Sequence, residues 1–510
     1  MAGIQEKNRP LISRKKIHNP ACLWYNTSVC KSGDGTGYTA FRPADDASSA
    51  AASGFQTAKG VVDMKFRHGA LVSGTLLLLL LLSGCLFKSG EELYSLPKAP
   101  EDYLNLQEQI DGIIAGGAEY AAPLTGSNTK TVQLVDLDGD GSDEAIAFFR
   151  DTSAEKPLKI YIFRQNDKDY EVAAIIEGDG TAINSLTYAD ITGDGVQELL
   201  VGWQLSNKVL NCTVYSVLNF TPTLMLQAGY TKAACADLDG DGVTELTLCY
   251  LDPAGLTSQA EYYKFNGKDL YLASSAPLSF GMTAITSARM YALASGEEAL
   301  YVIGSLTDGS IITDILTLKN DVLQNITLSP VDGMSVEVVR YYTVSGSDLN
   351  SDGILELPQP VMLPGSLSSS ERYWIINWRQ YSANGTATRV FSTYHNYTDN
   401  HVGEWYLLLP EEWLGRMTLT QRETIAGEHA YVFSTWSGTE QDSQRFLSIY
   451  KLTGVNREER SKLGNRFVLL RTSDTIYAAE FAESASETYR ITNEDLIGRF
   501  HLMLGDWSTE

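Results

Sequence analysis

Cysteine is scarce, with six in 510 residues. Cys22 and Cys30 fall in an N-terminal stretch set apart below, and Cys85 has a context of its own. The remaining Cys212, Cys235 and Cys249 are an odd set without a C-x-x-C pair, which excludes a disulfide framework and a cysteine metal site. Cys235 and Cys249, on apolar strand positions, read as small buried hydrophobes. Histidine is equally sparse. His395, His401, His429 and His501 are the four beyond Cys85, and the six-residue spacing of the first two in a polar stretch reads as an exposed loop rather than a metal or base pair. No G-x-S-x-G, H-E-x-x-H, P-loop or dinucleotide fingerprint occurs. Positive charge is also short. The formal net charge is −24, and it divides unevenly: residues 1–84 hold 10 Lys/Arg against 5 Asp/Glu, residues 85–510 hold 29 against 58. So acidic a surface repels nucleic acid, which is excluded as a partner.

Long apolar runs are missing too. The leucine-rich run from Ala70 to Leu82, 13 residues, falls short of the roughly 20 needed to span a bilayer, but it fits the apolar region of a signal peptide. Met64-Lys-Phe-Arg-His68 supplies the basic flank before it, and Leu82-Ser-Gly-Cys85 follows. The last four residues resemble a bacterial lipobox, which implies cleavage before Cys85 and lipidation of its thiol. The expected location is the extracytoplasmic face of a membrane, held by that lipid. Residues 1–63, polar and without helix or strand periodicity, are expected to be untranslated sequence upstream of Met64, or disordered.

What the chain does have is a repeat. Asp136-Leu-Asp138-Gly-Asp140-Gly-Ser142-Asp-Glu144 is loop 1, and Asp190-Ile-Thr192-Gly-Asp194-Gly-Val196-Gln-Glu198 is loop 2. Asp237-Leu-Asp239-Gly-Asp241-Gly-Val243-Thr-Glu245 is loop 3, and Asp348-Leu-Asn350-Ser-Asp352-Gly-Ile354-Leu-Glu356 is loop 4. Their first aspartates are 54, 47 and 111 residues apart. The long gap holds a degenerate copy, Ala292 to Val302, that keeps the apolar flanks without the ligating carboxylates. A period near 50 with strand-like flanks predicts propeller blades.

The chemistry of each loop points to calcium, a hard cation that takes six to eight oxygens. Side-chain oxygens at positions 1, 3 and 5 converge across a tight turn, Gly at position 6 supplies positive φ, and the position-7 carbonyl (Ser142, Val196, Val243, Ile354) and position-9 Glu close the shell. Thr192 and Asn350 at position 3 are poorer ligands, so loops 2 and 4 are expected to bind more weakly than loops 1 and 3. An EF-hand is excluded: it needs Glu at position 12, where this chain has Ala147, Val201, Leu248 and Gln359. Hairpin-turn chemistry alone explains one D-G-D-G but not four copies that also keep Glu at position 9. The loops resemble the FG-GAP/VCBS repeats of integrin α-chain propellers and bacterial surface proteins, over roughly 120–360. Glu rather than Asp at position 9 departs from that pattern. The resemblance implies an all-β propeller with calcium stapling the hairpins, and it names no ligand.

Along the chain, residues 64–84 are the expected signal peptide, 85–100 a tether, and 101–117 an amphipathic helix with Leu104, Ile110, Ile113 and Ile114 as its apolar side. Residues 118–365 are the expected blades, and 366–510 either degenerate blades, about seven in all, or a small α+β region. In the second version, helices over 456–463 and 493–504 flank strands over 466–470 and 476–480. Trp374, Trp378, Trp405 and Trp413 are expected in the core, with sugar stacking as the other use. The expected function is a lipid-anchored, calcium-binding module for a protein or polysaccharide, and the alternative is a carbohydrate-active hydrolase or lyase whose dispersed acids leave no local signature. Intact mass of the naturally produced protein tests the N-terminus: it should match a chain beginning at lipidated Cys85, and retention of Met1 contradicts the reading.

Overall fold

The computed structural model describes residues 101–503, apart from 167–168, 253–257, 341–343, 366–371 and 397–402. Residues 1–63, the signal segment, Cys85, the tether and His401 lie outside the described residues. Among the described residues, no helix is long and apolar enough to cross a membrane.

Helix α1 (Glu101–Ala115) comes first. Six antiparallel sheets follow in chain order. Sheet I holds β1 (Glu119–Tyr120), β2 (Val132–Val135), β3 (Glu144–Arg150), β4 (Leu158–Asn166) and β5 (Asp169–Gly178). Sheet II is the meander β6 (Ala182–Ala189), β7 (Glu198–Ser206), β8 (Val209–Ser216) and β9 (Thr223–Tyr230). Sheet III repeats it with β10 (Lys232–Ala236), β11 (Glu245–Leu251), β12 (Ser258–Phe265) and β13 (Leu270–Pro277). Sheet IV has β14 (Met282–Ala292), β15 (Glu298–Leu306), β16 (Ile311–Lys319), β17 (Val322–Asn325) and β18 (Val338–Val339). Sheet V begins with β19 (Leu357–Met362), β20 (Trp374–Tyr381), β21 (Ala387–His395) and β22 (Trp405–Leu408). Sheet VI takes β23 (Met417–Ile425), β24 (Glu428–Thr435), β25 (Arg445–Thr453), β26 (Phe467–Arg471) and β27 (Thr475–Phe481). The last strand, β28 (Phe500–Leu502), returns to pair with β22 in sheet V.

The sheets pack in series because their central strands are apolar on both faces, as continuous hydrophobic runs require. In β7, Leu199, Val201 and Trp203 join Phe148, Ile160 and Ile162 of sheet I, while Leu200 turns to Leu246 and Leu248 of sheet III. Tyr262 and Ala260 then meet Leu300 and Val302, Tyr301 meets Leu357 and Tyr381, and Trp405 meets Tyr431 and Phe433. The result is an all-β, propeller-like array. Among the described residues no core cluster joins sheet VI back to sheet I, and the final strand closes on sheet V instead.

Several expectations change. The described residues form six sheets where the period left room for about seven, because sheet IV takes in a fifth strand and sheets V and VI each run to five. The C-terminal strands fall where expected but belong to sheet VI, and the helices there shrink to α2 (Arg457–Arg460) and α3 (Asn493–Arg499). In α1 the buried side is Leu106 and Ile110 with Ile113 packed beside them, spaced at i, i+4 and i+7, whereas Leu104 is 56% exposed. Trp378, Trp405 and Trp413 are fully buried core residues. Cys212 and Cys249 are buried in the inter-sheet cores, and burial pushes the Cys249 thiol up to about 12.

His395 is the clearest correction: it is buried at the end of β21, not in an exposed loop. Trp378 Nε1–H donates to Thr393 Oγ1 at 2.8 Å, and Thr393 Oγ1 lies 2.7 Å from His395 Nε2. With its single hydroxyl proton, Thr393 can accept from the indole and donate to a neutral imidazole. Burial lowers the His395 pKa to about 3 from an ordinary 6.5. The unfolded chain then binds the extra proton between those values, so stability is lost as pH falls below about 6.5. Urea melts of wild type and His395→Gln at pH 7 and pH 5 test this. Wild type should lose about 2 kcal/mol more than the variant, and equal losses contradict a neutral buried imidazole.

Candidate cation-binding loops

Loops 1, 2 and 3 join β2 to β3, β6 to β7 and β10 to β11, the first two neighbouring strands in each hairpin. In loop 4 the entering strand has shrunk to a single bridge, Ser347 to Glu356, before β19. The degenerate copy is the matching hairpin of sheet IV, between β14 and β15. The position-2 residues Leu137, Ile191 and Leu238 are buried in three successive inter-sheet cores, which anchors each loop to the array.

The acids then organise the turn through its own amides. Asp136 accepts from Gly139 N–H at 2.8 Å and from Gly141 N–H at 3.0 Å. Asp190 repeats this with Gly193 and Gly195 at 2.7 and 2.9 Å, and Asp237 with Gly240 and Gly242 at 2.6 and 2.9 Å. Asp348 accepts from Asp352 and Gly353 N–H at 3.1 and 2.9 Å. At position 5, Asp140, Asp194, Asp241 and Asp352 accept from the amides of Ser142, Val196, Val243 and Ile354 at 2.7, 2.9, 2.8 and 2.9 Å. Because position 7 takes part through its backbone, its side chain is free to vary.

Position 9 closes the base. Glu144, Glu198, Glu245 and Glu356 are all buried, and each accepts from the position-2 amide: Leu137, Ile191, Leu238 and Leu349, at 2.9, 2.9, 3.1 and 2.8 Å. Burial pushes the Glu144 carboxyl up to about 7 against the Leu137 N–H that lowers it, and Asp138, Asp140 and Asp136 push it further. Burial raises Glu198, Glu245 and Glu356 as well. A cation among these oxygens would relieve that penalty.

Three clusters bring one oxygen per acid within 4.8 Å of the others: Asp136, Asp138 and Glu144; Asp237, Asp239, Asp241 and Glu245; and Asp348, Asp352 and Glu356. Such clusters can hold a metal ion. Asp140 stays outside the first. Loop 2, with Thr192 at position 3, makes no such carboxylate group, yet Glu198 Oε1 and Thr192 Oγ1 are buried there without a hydrogen-bond partner. Two buried oxygens in one loop with no donor suit a cation, and Glu245 Oε1 of loop 3 is also without a hydrogen-bond partner. In loop 4 the Asn350 amide instead donates to Asp352 at 2.8 Å.

The match to known families falls on this unit. Residues 136–201, from loop 1 to the first residues of β7, match the family model for an FG-GAP-like repeat. No curated protein matches the chain. Among solved structures the chain is similar to Saccharomyces cerevisiae Sqt1, at 10% identity and a TM-score of 0.26, covering 64% of this chain and 88% of that one. It is also similar to a hypothetical protein from Leishmania major (11%, TM-score 0.21, 55% and 91%). A third is exo-β-1,3-galactanase from Phanerochaete chrysosporium with galactose (13%, TM-score 0.25, 68% and 81%).

Consecutive loops touch. Gln197 N–H of loop 2 donates to Leu137 O of loop 1 at 2.7 Å, and a Cβ on Gly139 would stand 3.0 Å from the Gly195 carbonyl oxygen. A bridge from Ala292 to Ile354 links the degenerate hairpin to loop 4. Position 4 carries a backbone constraint of its own. It is left-handed in every loop, with φ of 74°, 74° and 76° at Gly139, Gly193 and Gly240, and 60° at Ser351. The glycine in three of four copies was the available signal. Ser351→Gly should therefore raise stability by roughly 0.5–1 kcal/mol in a urea melt, and a destabilised variant contradicts the shared loop geometry.

Proposed function

We propose that this chain is a calcium-stabilised, propeller-like binding module, tethered to a membrane through a lipid on Cys85 and facing a protein or polysaccharide partner outside the cytoplasm. The observation that carries the reading is the fourfold recurrence of one acidic cradle, each with a buried Glu at its base. The donor set is all oxygen, from carboxylates, a threonine hydroxyl and backbone carbonyls, which suits a hard cation. Adaptable loops with more than six oxygens within reach favour calcium over magnesium, which demands a near-ideal octahedron. Asp136, Asp138, Glu144 and the Ser142 carbonyl would hold it in loop 1, and Asp190, Thr192, Asp194, Glu198 and the Val196 carbonyl in loop 2. The chemistry calcium supplies is structural: it neutralises the cradle and fixes the hairpin.

The anchor rests on the basic–apolar–Leu82-Ser-Gly-Cys85 sequence, and the exclusion of nucleic acid on the acidic balance of residues 85–510. Calcium binding to the native state alone stabilises it by mass action, about 2.7 kcal/mol per site at a hundredfold excess over Kd. Thermal melts in calcium and in EDTA should therefore differ by several degrees, with magnesium weaker, and Cys85→Ser should move the protein from the membrane to the soluble fraction. Identical melts with no bound calcium by elemental analysis refute the cation part, and an unchanged membrane fraction refutes the anchor.

A further inference from the structure

The four loops differ in what faces them from the adjoining strand. The pairing of Ala145 with Phe163, Leu199 with Tyr215, Leu246 with Tyr263 and Leu357 with Arg379 sets the next residue of that strand opposite the position-9 Glu. That residue is Arg164 for loop 1, Ser216 for loop 2, Lys264 for loop 3 and Gln380 for loop 4. Arg164 turns to Glu171, 2.6 Å away, and lies over the Phe220 ring. Ser216 is short and neutral. Gln380 Nε2 donates to Asp352 at 2.8 Å and to Glu356 at 2.7 Å.

Lys264 goes furthest. Its Nζ is hydrogen-bonded to Asp239 and lies 3.8 Å from Asp241 and 3.9 Å from Glu245. These are the position 3, 5 and 9 carboxylates of loop 3, all members of its four-acid cluster. The ammonium thus stands among three of the four acids that a metal in this loop would need, hydrogen-bonded to Asp239 and within ion-pair distance of Asp241 and Glu245. We propose that Lys264 is a tethered counter-ion that fills loop 3 in place of a bound metal, so that calcium is confined to loops whose facing residue leaves the cradle open, loops 1 and 2.

The physical grounds are simple. A second cation among carboxylates already neutralised by an ammonium gains less attraction and must repel or displace that charge. Displacing Lys264 also leaves it to find a new partner on β12. Counting ligands alone ranks loop 3, with three aspartates and a glutamate, among the best sites, and the facing strand reverses that order. Gln380, with two donated hydrogen bonds, is a neutral version of the same device in loop 4.

The inference rests on calcium being the cation of this repeat, and the experiment separates the two. Calcium stoichiometry is measured by isothermal titration calorimetry on the purified full chain as wild type, Lys264→Met, Asp239→Asn and Asp138→Asn. Lys264→Met should bind one calcium more than wild type, Asp138→Asn one fewer, and Asp239→Asn the same number. An equal count in Lys264→Met, or a calcium lost from Asp239→Asn, overturns the inference while leaving calcium binding intact. A wild type that binds none beside a Lys264→Met that binds one overturns only the wider reading, and no binding by either overturns both. If Lys264→Met folds only with calcium present, the inference is supported. If it folds in neither condition, the two aspartate variants decide, and loss of a calcium from Asp239→Asn overturns it.

Discussion

Everything in the repeat depends on one contact: a buried glutamate at the start of a strand whose carboxylate accepts a hydrogen bond from the amide seven residues before it. In all four loops that bond closes the base of the turn, with acids at positions 1 and 5 and an acid, Thr192 or Asn350 at position 3 above it. Burying a carboxylate is costly unless it is paired or neutralised, and one amide satisfies only part of its capacity. Each loop therefore carries an electrostatic demand that something positive has to meet. The chain meets it with an ammonium in loop 3 and side-chain amides in loop 4, and leaves the Thr192 and Glu198 oxygens of loop 2 without a donor.

The same contact ties the loops to the array. Position 2 is apolar in every copy, and in the first three loops it sits in the core between two sheets, so a loop that loses its geometry also loosens a sheet interface. Loop 2 is hydrogen-bonded to loop 1, and Gly139 approaches Gly195 so closely that a Cβ there would stand 3.0 Å from its carbonyl oxygen, a tight contact. Strain or relief in one loop is felt by its neighbour. A series of sheets buried on both faces, with no core cluster tying the last to the first among the described residues, leans on these local staples for its rigidity.

Much of this was legible in the sequence. Four copies of a nine-residue pattern fixed the hairpins, the period separated the blades, and the strands at 467–471 and 475–481 fell within a residue of their expected bounds. Contacts made across strands were not legible. Lys264 and Gln380 lie 19 and 24 residues beyond the glutamates they face, and only the strand register brings them there. His395 misled for a related reason. Its neighbours are polar, yet Thr393 on its own strand and Trp378 on the adjoining one supply a buried hydrogen-bond chain. The α1 stripe failed by phase: Leu104 is apolar but sits off the i, i+4, i+7 line that Leu106 sets. Similarly, six sheets instead of about seven follow from how many strands each of the later sheets absorbs, which a spacing read from the loops cannot count.

The central claim is that the acidic cradles are built around positive charge, supplied by calcium where the facing strand leaves room and by the chain itself where it does not. The most direct measurement is an anomalous difference map from crystals grown in calcium. The account predicts peaks in loops 1 and 2 within 2.3–2.6 Å of the ligand oxygens, with Lys264 still seated among Asp239, Asp241 and Glu245. Calcium peaks in loop 3 with Lys264 displaced, or no peak in any loop, would contradict it.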